Sequence, residues 1–268
     1  MLTSLLILAV GCLVAACIVL NQPKFGEAPQ GDRLAAIQNS PHYSDGAFKN
    51  LIDTPKFTQE VSTLSILWND LRNPPQRRVP EHPLPVMKTD LTTLDPTQDQ
   101  VIWLGHSSFF IQLGGKTILL DPVFSASAAP LSSFNKAFAG TTLYTIDDMP
   151  PIDLLLISHD HWDHLDYPTV TALKNKVAQV VCPLGVGAYF EKWGFPTEKI
   201  HDRDWNQDYA EDGLIIHVLP ARHYSGRLLR QNQTLWAAFA LETPTKRLFF
   251  SGDSGYGPHF AEIGQRFG

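Results

Sequence analysis

The densest chemistry in the chain follows Ser158. His159-Asp160-His161-Trp162-Asp163-His164 packs three of the ten histidines and two carboxylates into six residues. Imidazole and carboxylate are zinc-binding groups, and catalytic zinc sites keep one position open for water. In an extended or turning loop, side chains at alternating positions converge. His159 and His161 can therefore share one metal while Asp163 and His164 turn toward a second. The bland alternative is a polar surface loop rich in histidine, and the clustering weighs against it. Six residues cannot complete such a site, so distant ligands are needed. His223 follows Leu219-Pro220-Ala221-Arg222, and Asp253 follows Phe249-Phe250-Ser251-Gly252, each just past a strand-like run. Loops at one sheet edge are where such sites are built.

Weaker candidates surround these. Asp121, before Pro122, could orient a ligand histidine from behind or simply form a turn. His106 could line the site or serve as a hydrogen-bonded structural residue. Arg222 and Arg227 flank His223 and could meet a phosphate or form a solvated pair. Tyr224 and Tyr256 could shape a pocket or merely pack. Cys182, on the apolar run Gln179-Val180-Val181-Cys182, reads as a buried small hydrophobe rather than a nucleophile.

The positioning elements follow from periodicity. Val101–Leu104 and Phe109–Leu113 are strand-like, and Gly114-Gly115 turns the second into Lys116–Leu120. Ile152–Ile157 is apolar at every position but Asp153, as for a strand covered on both faces, and it delivers Ser158 and the histidine cluster at its end. Helices are expected at about 168–176 and 186–193, with a strand to Cys182 between them. Further strands are expected at 214–219, 235–241 and 247–250, and His259 falls in the helix after Asp253. Upstream, residues 21–100 read as a tether and an arm wrapped on the domain. One helix is predicted there near Glu60–Leu71, where Val61, Leu64, Leu67, Trp68 and Leu71 recur at helical spacing.

The 268 residues, 44% hydrophobic and 18% charged, suit one globular domain with an appended segment. A net charge of −6 speaks against a nucleic-acid partner, which calls for a clustered basic surface. Met1–Leu20 carries no charged side chain and is nearly all apolar from Leu5 onward. It reads as a membrane anchor, or as a lipoprotein signal around Val14-Ala15-Ala16-Cys17, so the expected localisation is membrane-attached, with the side left open.

Five segments together resemble the metallo-β-lactamase superfamily, and within it the N-acylphosphatidylethanolamine-hydrolysing phospholipase D family and its bacterial relatives. They are Trp103–Ser107, Leu120–Phe124, Ser158–Asp166, Ala221–Ser225 and Phe250–Tyr256, with similarity running on to Gly268. The resemblance implies an α+β fold, an αββα sandwich over residues 101–268. It implies that His159, His161 and His223 hold a first zinc ion, that Asp163 and His164 hold a second, and that Asp253 bridges them. It further implies a zinc-dependent phosphodiesterase acting on N-acyl phospholipid-like substrates through a metal-bound hydroxide, with Asp163 and Asp253 orienting the reaction. The family draws one more second-site histidine from well beyond the Gly-Asp motif, and His259 lies too close behind Asp253 to supply it. The chain therefore reads as a domain lacking the C-terminal part of its second half, with two zinc ions expected in a complete domain and one here. The rivals are another hydrolase on the same scaffold (lactonase, thioesterase or lactamase-like) and an inactive fragment that binds one zinc.

Overall fold

The structure is a computed structural model that describes residues 10–11, 14, 16–55, 62–74, 76–227 and 231–268. It is built on two facing sheets. The larger has six strands in the order β3-β4-β5-β6-β7-β8. Its members are β3 (Gln100–Gly105), β4 (Ser108–Leu113), β5 (Lys116–Leu120), β6 (Ile152–Leu156), β7 (Val177–Pro183) and β8 (Ile200–Arg203). The first three form the antiparallel meander expected from the Gly114-Gly115 turn, and β5 through β8 run parallel. The smaller sheet is wholly antiparallel, in the order β12-β11-β10-β9. It comprises β9 (Gln207–Glu211), β10 (Leu214–Leu219), β11 (Ala238–Glu242) and β12 (Arg247–Phe250).

The central strands of the larger sheet are buried on both faces, which is why β6 is apolar at every position but Asp153. Side chains alternate across it. Ile118, Leu120, Leu154, Leu156 and Val181 pack with Leu214, Ile216 and Val218 of the smaller sheet. Leu119, Leu155 and Val180 turn the other way, onto Val170 and Leu173 of α3 (Tyr167–Leu173) and Phe190 of α4 (Gly187–Lys192). Each fully buried Leu stabilises the fold by about 2 kcal/mol relative to exposure. Beyond the smaller sheet lies α5 (His259–Phe267), whose Phe260 and Phe267 meet Phe249 and His217. Helices outside two packed sheets make the αββα layering expected of the sequence.

The boundaries depart from the sequence reading at instructive places. The strand expected from Leu235 begins at Ala238. Leu235 N and Ala237 N donate instead to Leu184 O and Ser158 O, stitching the two sheets together at the edge where the histidine cluster sits. Two strands went unrecognised, β8 and β9, whose half-exposed and polar sequences carry little pattern. Upstream, helix α1 (Gly31–Asn39) and the hairpin of β1 (Tyr43–Ser44) and β2 (Ala47–Phe48) were also missed, although Asp45-Gly46 is a turn signal. The predicted helix near Glu60–Leu71 is α2 (Thr63–Arg72), with Ser62 capping Ser65 N; residues 56–61 lie outside the described residues. Its Leu64, Trp68 and Leu71 are exposed, so these three members of the apolar set are not buried on the domain. Much of the proposed anchor, residues 1–9, 12–13 and 15, also lies outside the described residues. Among the described residues no helix is long and apolar enough to cross a membrane.

Candidate metal centre

The loop after β6 does what alternation requires. His159 and His161 turn into the cleft between the sheet edges, while Asp160 between them turns away. The Asp160 carboxylate accepts from Gly226 N at 2.6 Å and from Tyr189 OH at 2.9 Å. His159 Nε2 lies 2.8 Å from His161 Nδ1, and His223 Nε2 lies 3.2 Å from the same atom. Three imidazole nitrogens from two distant segments thus converge on one point. Burial, reinforced by neighbouring imidazoles, holds His159 well below the ordinary histidine pKa. Burial and the adjacent His161 bring His223 down to about 4, and burial also lowers His161. At neutral pH all three are uncharged, the protonation state a metal ligand needs.

A second set sits beside the first. His164 and Asp253 share a cluster with His159, and His106, Asp163 and His164 form another, each with donor atoms mutually within 4.8 Å. Asp253 Oδ2 is 3.2 Å from His164 Nε2 and 3.9 Å from His223 Nε2, so it stands between the two sets. Its approach depends on Gly252, where φ is +55° and an added Cβ would meet Ala237 O at 2.7 Å. Burial opposes ionisation of Asp163 and Asp253, yet interactions with His106 and His164 hold both carboxyls below their ordinary range.

His164 is fully buried, and its Nε2 makes no well-formed hydrogen bond among the described residues, facing only the Asp253 carboxylate at 3.2 Å. A buried nitrogen left with only a poorly aligned carboxylate contact, in a cleft of nitrogen and oxygen donors, is the arrangement a metal ion completes. The residues fit a pair of ions. His159, His161 and His223 would hold one, Asp163 and His164 the other, with Asp253 between.

Behind the donors lies a shared support. Asp121, fully buried with φ at +42°, accepts from Ser158 N and Oγ and lies 2.8 Å from His164 Nδ1. Ser158 Oγ is in turn 2.9 Å from His159 Nδ1. Asp121 is therefore an orienting group rather than only a turn residue, reaching His164 directly and His159 through the hydroxyl. Desolvation disfavours the charged form of His164, but the Asp121 hydrogen bond and the Asp253 charge outweigh it and push its pKa up to about 10.

Other side chains were misjudged or overlooked. Neither arginine faces the cleft for phosphate binding. Arg227 is buried, with its guanidinium 4.4 Å from the Trp162 ring centroid, and it donates to the carbonyls of Asp160, Leu165 and Lys24. Arg222 donates to Thr54 Oγ1 and Tyr256 O. Both clamp loops, because a sequence does not reveal which carbonyls a folded chain leaves unpaired. Tyr224 does border the centre, with its ring 4.7 Å from those of both His161 and His223, while Tyr256 is exposed and stacks on Phe260. Cys182 is buried, and burial raises its thiol to about 12. Asn50 of the N-terminal arm supports the site from outside the domain. Its side-chain amide donates to His223 O at 2.8 Å and accepts from His223 N at 3.1 Å. No local signal announces a pairing across so much sequence.

A family model described as a β-lactamase superfamily domain matches residues 116–268. The chain belongs to the metallo-β-lactamase superfamily. It is 37% identical over 235 residues to an uncharacterized protein of Mycobacterium tuberculosis, covering 87% of this chain and 63% of that one. It is 30% identical over 182 residues to N-acyl-phosphatidylethanolamine-hydrolyzing phospholipase D 1 of Caenorhabditis elegans, covering 62% of this chain and 50% of the relative. The chain thus spans less than two thirds of the length of either relative. Among solved structures, the diiron β-hydroxylase CmlA of Streptomyces venezuelae matches with a TM-score of 0.51 at 22% identity, over 65% of this chain and 33% of that one. That likeness concerns the superfamily fold.

Proposed function

We propose that this superfamily member is a zinc-dependent hydrolase, a phosphodiesterase of phospholipase D type that cleaves N-acyl phospholipid-like substrates. The observation that carries the reading is the convergence of His159, His161 and His223 beside Asp163, His164 and Asp253, of which Asp163 also lines a cavity. That cavity, of about 460 Å³, reaches His106 and Asp163 and is bordered by Leu84, Trp103, Val123, Phe138 and Lys136. A largely apolar cavity ending at polar groups suits a substrate with a hydrocarbon body and a reactive ester at its head. The Lys136 ammonium offers charge to a phosphate. Similarity to the nematode phospholipase D supports a phosphodiester over a lactone or a β-lactam.

Bound metal ions supply an activated water and neutralise charge developing on phosphoryl oxygens. The protein's part is to fix the donors. Asp253 spans the two sets, Asp163 is held ionised by its hydrogen bond with His106, and Asp121 and Ser158 orient the histidines behind them. The N-terminal apolar segment attaches the domain to a membrane in this reading. Lys24, just beyond that segment, donates to Pro130 O, next to the exposed Leu131 and Phe134. The segment's exit and an exposed apolar loop thus share one side of the molecule.

The test is release of phosphatidic acid from vesicles containing N-acylphosphatidylethanolamine by the zinc-loaded chain, beside a soluble lactone, a thioester and a β-lactam. Phospholipid turnover that is lost in His161→Ala is the expected result. Turnover of a soluble substrate alone would reassign the substrate, and no turnover with two ions bound would overturn the hydrolase reading.

A further inference from the structure

Gly26 ends the 3-10 turn Pro23–Phe25, just beyond the apolar N-terminal segment. Its φ is +73°, and an added Cβ would run into the Tyr189 ring. Glycine adopts that conformation without strain and lets the chain lie directly on the ring. The neighbouring contacts lead to the loop that carries the histidine cluster, or to its support. Trp193 Nε1 donates to Pro23 O at 2.8 Å. The Phe25 ring meets the Trp162 ring edge-on, with centroids 5.3 Å apart, and Trp162 lies between His161 and Asp163. Lys24 O accepts from Arg227 Nη1 at 2.7 Å.

Arg227 carries the connection inward. Its guanidinium is buried, 4.4 Å from the Trp162 ring centroid and 5.1 Å from that of Tyr189. Besides Lys24 O, it donates from Nε to Asp160 O at 2.7 Å and from Nη2 to Leu165 O. Those two carbonyls bracket His161, Asp163 and His164. One planar fork therefore fixes both ends of the ligand stretch and joins them to the segment outside it. A buried cation that loses such partners is costly, so the carbonyls and the guanidinium hold one another in place. Gly226 N, one residue earlier, donates to Asp160 Oδ1 at 2.6 Å and ties the His223 loop to the same stretch. These groups act through the loop backbone, not as ligands.

We propose that Pro23–Gly26 is a clasp that closes on the metal-binding loop and holds it in its ligating shape, with Arg227 as the positioning residue that joins the two. This rests on the metal reading above. Coupling is reciprocal, so a clasp that raises metal affinity is itself tightened by the metal. The test uses the 268-residue chain. Docking of the clasp is read by trypsin cleavage of the Lys24–Phe25 bond, with and without zinc. The loop is read by cobalt(II) affinity and by the d–d absorption spectrum of the bound ion, which reports ligand geometry. Gly26→Ala opens the clasp without touching a ligand or Arg227. Gly46→Ala is its control, because Gly46 lies in the same arm at φ +75° with open space around an added Cβ. Arg227→Lys keeps the charge and loses the fork.

Zinc is expected to slow cleavage at Lys24 in the parent. Gly26→Ala should be cut faster and bind the first cobalt ion about tenfold more weakly, the scale of groups that orient metal ligands. Its cobalt spectrum should also change, which a loss of stability alone would not produce. Gly46→Ala should match the parent, and Arg227→Lys should weaken the ion at least as much as Gly26→Ala. Four results would overturn the clasp and leave the metal reading standing. They are cleavage that zinc does not slow, parental cleavage in Gly26→Ala, faster cleavage there with parental affinity and spectrum, and an equal loss of affinity in Gly46→Ala. Parental affinity in Arg227→Lys would overturn the arginine's part, and if that variant does not fold the two glycine variants decide. A parent that takes no cobalt would overturn the metal reading itself.

Discussion

The two halves of the centre differ in how their charges are arranged, although they share one loop. His159, His161 and His223 form a set of neutral imidazoles whose protons burial has already driven off. Asp163, His164 and Asp253 form a mixed-charge set in which an imidazolium is pinned between Asp121 and Asp253. In the metal-free protein a proton on His164 does part of the work that a cation would do. The first set is thus ready to bind, whereas the second must exchange a proton for a metal.

Removing a ligand from the ready set breaks the comparison most severely. His161 touches both His159 and His223, so His161→Ala leaves two imidazoles where three converged. First-ion binding in that variant is expected to fall beyond detection by elemental analysis, and turnover by at least about 10³-fold, equivalent to roughly 4 kcal/mol. Retained activity at full metal content would remove the first set from the chemistry.

Acidity sharpens the contrast next. His164, raised to about 10 from 6.5, favours the folded metal-free protein fully below about pH 6.5, and that contribution is lost as pH rises through about 10. Metal loading runs in the opposite direction. Between pH 6.5 and 8.5 the second ion's apparent affinity is expected to rise by up to about tenfold per pH unit, one proton being released per ion. First-ion affinity stays nearly flat over that range, because His223, at about 4, is already neutral. Titration calorimetry in buffers of different ionisation enthalpy reads both effects. Equal proton release at the two sites would contradict the contrast.

The supports differ as the sites do. Asp121 contacts His164 directly but reaches His159 only through Ser158. Asp121→Asn keeps the size and removes the charge, and groups of this kind are worth about 10–100-fold in metal affinity. The second ion is expected to weaken by that factor and the first by much less, as measured by competition with a chelating dye.

Much of this was legible in the sequence, and the exceptions share a cause. The six-residue cluster, the strand that delivers it and the strand-end positions of His223 and Asp253 carry local signals, namely residue type, periodicity and a preceding Gly. The two-sided burial of β6 was equally plain in the apolar run Leu154–Ile157. Asn50, Arg222 and Arg227 were opaque because what they do depends on which backbone groups the fold brings near them. Asn50 of the N-terminal arm grips the backbone of His223, 173 positions away in sequence. Arg227 is charged and reads as a surface residue, yet it is buried among Trp162, Tyr189 and Trp193. A sequence gives the charge of such a residue but not the carbonyls that satisfy it. Strands β8 and β9 escaped for a simpler reason, since a partly solvated strand has no apolar rhythm to report.

The smallest effect is expected at the relay itself. Ser158→Ala deletes the hydroxyl between Asp121 and His159 while leaving the direct contact from Asp121 to His164 in place. Ser158 N still donates to Asp121 Oδ1, so the backbone support survives. The loss is one buried hydrogen-bonded link to a neutral imidazole, about 1 kcal/mol or roughly a fivefold weakening of the first ion. It removes the hydroxyl partner of His159 Nδ1, which bears on the orientation of the ring rather than on its charge. First-ion affinity should therefore fall severalfold with no change in its pH dependence, while the second ion keeps both its affinity and its proton release. A larger effect at the second ion than at the first would mean that the hydroxyl serves mainly His164, and the division of labour drawn at Asp121 would have to be reversed.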